Sequence, residues 1–179
     1  MPQDPVFLPE GTSFMSNLDP LNVSTENECQ VVLETVGLWT LVDQRGGLLE
    51  GLSSDTLSQG QKQLFSLARA VLRCRIRAKD NEAEFGTSTG EKGGGGILLL
   101  DEVSSSVDQD TDRAMQRIIK EEFGSYTIVM VSHRLEMVMD FDTVLVMDKG
   151  MIVEAGPPRT LVKTDGSRFK ELWSVANKT

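Results

Sequence analysis

Apolar positions along the chain recur with two different periods, and the change of period outlines the elements. Residues 2–22 carry Pro2, Pro5, Pro9, Gly11 and Pro20 and show no sustained period, so they read as loop with short extended pieces. Thr25 and Glu28 then stand at capping-box spacing and predict a helix running to about Thr35. A second short helix is expected over Leu38–Val42, followed by loop in "RGGLLEG". From Leu57 to Arg73, Leu64, Leu67, Ala68, Val71 and Leu72 fall at i, i+3, i+4, i+7 and i+8, the stripe of an amphipathic helix. Ser58 and Gln61 repeat the capping-box spacing and place its start near Ser58.

The pattern then fails. Residues 75–96 are charged at first and end in "GTSTGEKGGGG", which predicts a flexible surface insertion. The run Ile97–Leu100 is continuously apolar and stops at two acids, as a parallel strand buried on both faces would. "DQDTDRAMQRIIKEEFG" returns to the helical period, with Met115, Ile118, Ile119 and Phe123 on one face and Gly124 as the stop. "TIVMVSH" reads as a second buried strand and "RLEMVMD" as a short helix. "TVLVMDKGMIVEAG" reads as a hairpin turning at Asp148-Lys149-Gly150, and two short helices close the chain. Strands alternating with helices predict an α/β layered fold with a helical region near residues 24–73.

Composition narrows the class. The 179 residues suit one domain with a sizeable core, and a formal charge of -9 argues against a nucleic-acid partner, which a basic surface would attract. Cys29 and Cys74 have no metal-like spacing and read as reduced thiols. No apolar run nears the about 18 residues that span a bilayer, and the start lacks the pattern of a signal peptide. The expectation is a soluble, intracellular chain whose partners can still lie in a membrane.

The glycine stretch before Ile97 invites a phosphate-loop reading. The pattern G-x-x-x-x-G-K-[ST] follows a strand and opens a helix. Here Lys92 sits between Glu91 and Gly93, no Ser or Thr follows it, and the glycines precede a strand. Four consecutive glycines would also lose much entropy on being ordered. The stretch therefore reads as insertion, not phosphate loop.

The chemistry falls elsewhere. Asp101 and Glu102 lie at the carboxyl end of a strand, where open α/β sheets bind ligands. An aspartate there can hold Mg²⁺ through water, and a neighbouring glutamate can orient or deprotonate an attacking water. The pair reads equally as a strand leaving for solvent. "LSQGQ" opens a helix whose first N–H groups and positive dipole end suit an anion, with Gly60 allowing close approach and Ser58 and Gln61 able to donate. An ordinary helix cap accounts for the same residues. His133, the one histidine, ends the "TIVMVS" strand, on the same rim as Asp101 if the two strands are parallel neighbours. Gln3, in "PQDP", by itself says only loop.

Together these segments resemble the ATP-binding cassette (ABC) family. "PQDPVF" is similar to its Q-loop, "LSQGQKQLFSLARAVL" to its signature motif and following helix, and "ILLLDEVSSSVDQDTD" to Walker B, the catalytic glutamate and the D-loop. "IVMVSHRL" resembles the H-loop, and "VLVMDKGMIVEAGPP" the hairpin that follows it. The order agrees across nearly the whole chain apart from residues 75–96. The wording "GTSFMSNLDPLN" and "LSQGQKQL" resembles most the second nucleotide-binding domain of the multidrug-resistance-associated subfamily. A long insertion before Walker B points to a fungal member. Non-transport ATPases of the superfamily need long heptad arms between the motif halves, and the insertion holds no heptads.

The resemblance implies a P-loop NTPase-like ABC ATPase core, a parallel sheet flanked by helices, with a helical subdomain. Its parts would be a Q-loop region at 1–22, the helical subdomain and signature helix at 23–73, the insertion at 75–96, and Walker B through the C-terminal helices at 97–179. It implies ATP and Mg²⁺ as cofactors. Gln3 would sense the γ-phosphate and Mg²⁺, Asp101 would support Mg²⁺, and Glu102 would polarise the attacking water. His133 would contact the γ-phosphate. Ser58, Gly60 and Gln61 would touch ATP held by a partner domain, and Asp108 would end the loop that crosses to it. The implied partners are a second nucleotide-binding domain, joined head to tail over ATP, and the transmembrane domains of an exporter, which place the site at the cytoplasmic face of a membrane. The family's Walker A loop and adenine-stacking aromatic lie upstream of the Q-loop. The expectation is therefore an N-terminally truncated core that alone neither binds ATP tightly nor hydrolyses it, and that is poorly soluble or partly molten because a sheet edge is left open. The alternative is a short non-catalytic module, or gene relic, that at most caps ATP on a partner cassette.

Overall fold

The computed structural model describes residues 5–85, 95–101 and 107–176. It has two compact units, Met1–Val131 and Ser132–Thr179.

The first unit begins with a helix that proline-rich composition concealed. Helix α1, Phe14–Leu18, lies inside the stretch expected to be loop. Ser13 caps it by accepting the Ser16 N–H, and Phe14 and Leu18 are buried. Five residues are too short to show a period, so only packing reveals the element. Helix α2, Glu26–Thr35, carries the full capping box: Thr25 accepts from the Glu28 N–H while the Glu28 carboxylate accepts from Thr25. Helix α3 covers Trp39–Gln44, slightly beyond the expected Leu38–Val42.

Helix α4 runs from Gln59 to Phe85, 27 residues. Its expected stripe is buried at Leu67, Ala68, Val71 and Leu72, but Phe65 is buried in place of the half-buried Leu64. Neighbours on several sides widen the buried face. The helix also continues through residues 75–85, which were expected to be flexible. Residues 75–85 contain no Gly or Pro and are rich in good helix formers. Two cross-links anchor this extension: Arg75 forks onto the Glu122 carboxylate at 2.7 and 3.0 Å, and Lys79 pairs with Glu28. The far end of the expected insertion is packed too. A Cβ added at Gly95 would lie 2.5 Å from the Ser125 carbonyl oxygen, and one at Gly96 2.5 Å from Tyr126 Cε1. These glycines permit a close approach of backbone. Lys92 and the rest of 86–94 lie outside the described residues.

Strand β1 (Ile97–Asp101) pairs parallel with β2 (Thr127–Val131), Leu99 opposite Val129 and Asp101 opposite Val131. The link between them is helix α5, Gln109–Glu122, which buries Met115, Ile118 and Ile119. The expectation of strands buried on both faces is corrected. Leu98 and Leu100 enter the core, whereas Ile97 is 69% and Leu99 61% exposed, beside Val129 and Val131 at 48% and 54%. Among the described residues, helices cover one face of this two-stranded sheet. One core joins α1–α5 to that face, from Phe14 and Leu33 through Phe65 and Val71 to Leu100 and Phe123.

The second unit has a short helix α6, Leu135–Val138, then an antiparallel hairpin of β3 (Val144–Asp148) and β4 (Met151–Gly156). Its turn sits where the sequence placed it: Lys149 and Gly150 take φ of 48° and 79°, the left-handed pair that two-residue hairpin turns favour. The expected terminal helices are α7 (Pro158–Leu161) and α8 (Arg168–Ala176). The Glu154 carboxylate on β4 accepts from the Phe169 N–H and the Ser167 hydroxyl, fastening the start of α8 to the hairpin. Val146, Leu161 and Phe169 form this unit's core.

Candidate functional site

The first turn of α4 is built as a capping box. The Gln61 N–H donates to Ser58 Oγ at 3.2 Å, and Gln61 Oε1 accepts from the Ser58 N–H at 2.9 Å. The side chains of Ser58 and Gln61 thus fix the turn and satisfy the Ser58 and Gln61 N–H groups, while the other first N–H groups of any such helix have no acceptor within it. Gly60 sits in this turn, and its missing side chain has a use inside the protein. A Cβ there would stand 3.3 Å from Thr111 Cγ2, so the start of α5 packs against it.

Asp108 caps α5. Its Oδ1 accepts from the Asp110 and Thr111 N–H groups at 3.1 and 2.9 Å, and its Oδ2 from the Thr111 hydroxyl at 2.7 Å. These bonds, the Thr111 N–H foremost, hold the Asp108 carboxyl below its usual pKa. The Thr111 hydroxyl is committed to Asp108. Two helix starts, 58–61 and 108–111, thus pass close to each other at Gly60 and Thr111. Sequence reasoning singled out Ser58, Gly60, Gln61 and Asp108 but missed Thr111. The signal was present, since "DQDT" has the Asp-x-x-Thr spacing of a side-chain cap.

Asp101 ends β1 with its side chain exposed, at the carboxyl edge of the parallel pair. That edge and a free carboxylate suit a hydrated cation. The described residues hold no group of three or more His, Cys, Asp or Glu side chains placed to bind a metal, so Asp101 would supply one ligand among others. Gln3 and Glu102 lie outside the described residues. His133 is exposed and belongs to the second unit, two residues beyond the end of β2.

The chain is 58% identical over 178 residues to the ABC-type transporter braE of Annulohypoxylon truncatum, covering 98% of this chain and 12% of that protein. Its homologues are ABC transporters of fungi. It is 54% identical to ABC transporter FGM5 of Gibberella zeae over 99% of this chain and 12% of that protein. It is 41% identical to ABC multidrug transporter B of Aspergillus fumigatus over 90% of this chain and 10% of that protein. The chain therefore spans about an eighth of the length of the first two relatives. No protein-family model matches it. The mixed helices and small parallel sheet are consistent with an ABC-like α/β domain. Among the described residues no helix is long and apolar enough to cross a membrane.

Proposed function

We propose that this chain is the C-terminal part of an ATP-hydrolysing nucleotide-binding domain in an ABC-type exporter, most like the second such domain of the multidrug-resistance-associated subfamily. Its task is to cap and hydrolyse ATP so that substrate efflux is driven. The carrying observation is the α4 turn: a helix start capped by Ser58 and Gln61 and set close to the start of α5 at Gly60, in a segment 58% identical to part of a fungal ABC transporter.

In this reading the α4 turn faces the γ-phosphate of ATP held by a second nucleotide-binding domain. The positive end of the helix and the N–H groups of the turn favour that charge. Asp101 supports Mg²⁺ through water, Glu102 orients the attacking water, and His133 and Gln3 complete the phosphate surroundings. Mg²⁺ and ATP, when bound, supply the electrophilic phosphoryl group, and the protein's work is positioning and charge stabilisation. The 179 residues contain no G-x-x-x-x-G-K-[ST] loop, so a phosphate cradle from outside them is needed. Charge-assisted hydrogen bonds contribute roughly 1.5–3 kcal/mol each, so without several of them ATP binding by this chain alone is weak. The exposed apolar face of β1–β2 also suits a segment that packs against further protein in a transporter, at the cytoplasmic face of its membrane.

The test is ATP turnover by the full-length transporter that contains this segment. Glu102→Gln is expected to lower kcat by about a thousandfold or more, as loss of a water-orienting group does. Gly60→Asp, which sets a negative charge where phosphate should dock, should also abolish turnover. Wild-type kcat in both variants would overturn the proposal.

A further inference from the structure

Arg69, on the core side of α4, is enclosed in a way that neither capping nor packing of the helix requires. Its guanidinium carbon lies 5.0 Å from the ring centroid of Phe7 and 5.3 Å from that of Phe65. The rings themselves are 5.5 Å apart. Its Nε donates to the Asn17 carbonyl at 2.6 Å and its Nη2 to Asn17 Oδ1 at 3.4 Å, while Nη1 donates to the carbonyl of Val6. Asn17 is fully buried, and its Oδ1 also accepts from the Leu8 N–H at 2.9 Å. Its Nδ2 donates to the carbonyls of Thr12 and Ser13 at 3.2 and 3.1 Å. Burial lowers the Arg69 pKa, with Arg73 adding to the effect, so the charge is kept at a cost that its bonds and the ring faces offset.

The partners of this guanidinium are Val6 and Phe7, Asn17 of α1, which also holds the Leu8 N–H, and Phe65 of α4 itself. Val6 to Leu8 come three to five residues after Gln3 in sequence, and Arg69 is on the helix whose first turn is Ser58–Gln61. We propose that Arg69 is a positioning residue that clamps the 6–8 segment onto α4, so that this segment and the Ser58–Gln61 turn move as one body. A planar fork satisfies two carbonyls and an amide oxygen while lying against two neighbouring rings; a lysine ammonium keeps the charge but not that geometry. The inference rests on the proposed role of the α4 turn in ATP turnover. If the turn meets phosphate only when two domains close, loosening the clamp slows the chemical step and spares the binding of ATP, whose main phosphate contacts lie elsewhere.

Two measurements test it. Hydrogen–deuterium exchange on the intact chain reads the amides of residues 6–8. Arg69→Lys should speed their exchange about tenfold or more, because the local opening no longer breaks the clamp. Phe7→Leu should do the same from the other side and changes no residue of α4, which covers the case of an R69K chain that folds badly. In the full-length transporter, Arg69→Lys should lower kcat for ATP about tenfold with KM within twofold. Unchanged exchange at residues 6–8 overturns the clamp. Faster exchange with unchanged kcat, or an effect on KM alone, overturns the positioning role. A wild-type transporter without ATP turnover overturns the proposed function and the positioning role with it, while exchange still decides the clamp.

Discussion

The helical region of the first unit and its two-stranded sheet draw on the same core yet are finished to different degrees. Around α2 and α4, Cys29, Leu33, Phe65, Leu67 and Val71 are all at most 1% exposed. In β1 and β2, every second side chain faces out, and four of those, Ile97, Leu99, Val129 and Val131, are apolar. Taking such a side chain fully from water is worth about 1.5–3 kcal/mol, so the sheet forgoes on its outer face what the helices gain on their buried faces. The helices are held by contacts within the described residues. The sheet presents a surface suited to further contacts.

The sharpest way to break this contrast is a pair of substitutions. Phe65→Ala should destabilise the chain by about 3–5 kcal/mol, because it empties a filled core site. Leu99→Ser, on the exposed face, should change stability by less than about 1 kcal/mol and improve solubility. Urea unfolding of both variants measures this, and comparable losses would mean that the sheet's outer face is buried in solution.

A smaller effect is expected where ion pairs fasten the α4 extension. Glu122→Gln breaks the forked pair with Arg75 and should cost about 1 kcal/mol, chiefly as faster amide exchange beyond residue 73. Wild-type exchange there would show that helix propensity alone carries the extension.

The third prediction concerns acid. The hydrogen bond from Lys79, then those from Thr25, lower the Glu28 pKa from 4.5 to about 2. A carboxylate with a depressed folded pKa adds stability that is fully present above its unfolded value and is lost on acidification. Stability should thus fall as pH drops from about 4.5 toward 2, and Glu28→Gln should flatten part of that slope. An unchanged slope in the variant, followed by circular dichroism, would count against this pairing in solution.

The smallest effect is expected at Gly60→Ala. The added methyl meets Thr111 at 3.3 Å, but alanine favours a helix, so the two effects oppose each other and the net change should stay within about 1 kcal/mol. A larger loss on thermal unfolding would mean that the two helix starts cannot shift apart at all.

Much of the site was legible because its signals are local. Ser58 with Gln61 and Thr25 with Glu28 are cap pairs three residues apart, and the structure forms both. The turn at Lys149-Gly150 follows from the backbone freedom that glycine supplies. Asp101 at a strand end follows from an apolar run that stops at an acid. The parts that stayed hidden depend on residues far apart in the chain. Helix α1 is too short to carry a period, and the ion pairs that join the α4 extension to the rest of the unit bring Glu122 and Glu28 to Arg75 and Lys79 from far along the chain.

By itself, then, the sequence determined which segments are helix or strand where a period or a cap is written within one or two turns, and the order of motifs that resembles a cassette ATPase. Only the tertiary structure decided that, among the described residues, β1 and β2 are covered on one face, that Gly60 makes room for Thr111, and that Arg69 lies against both Phe7 and Phe65. A cap needs neighbours in sequence, whereas coverage, close approach and enclosure need neighbours in space, and those exist only once the chain has folded.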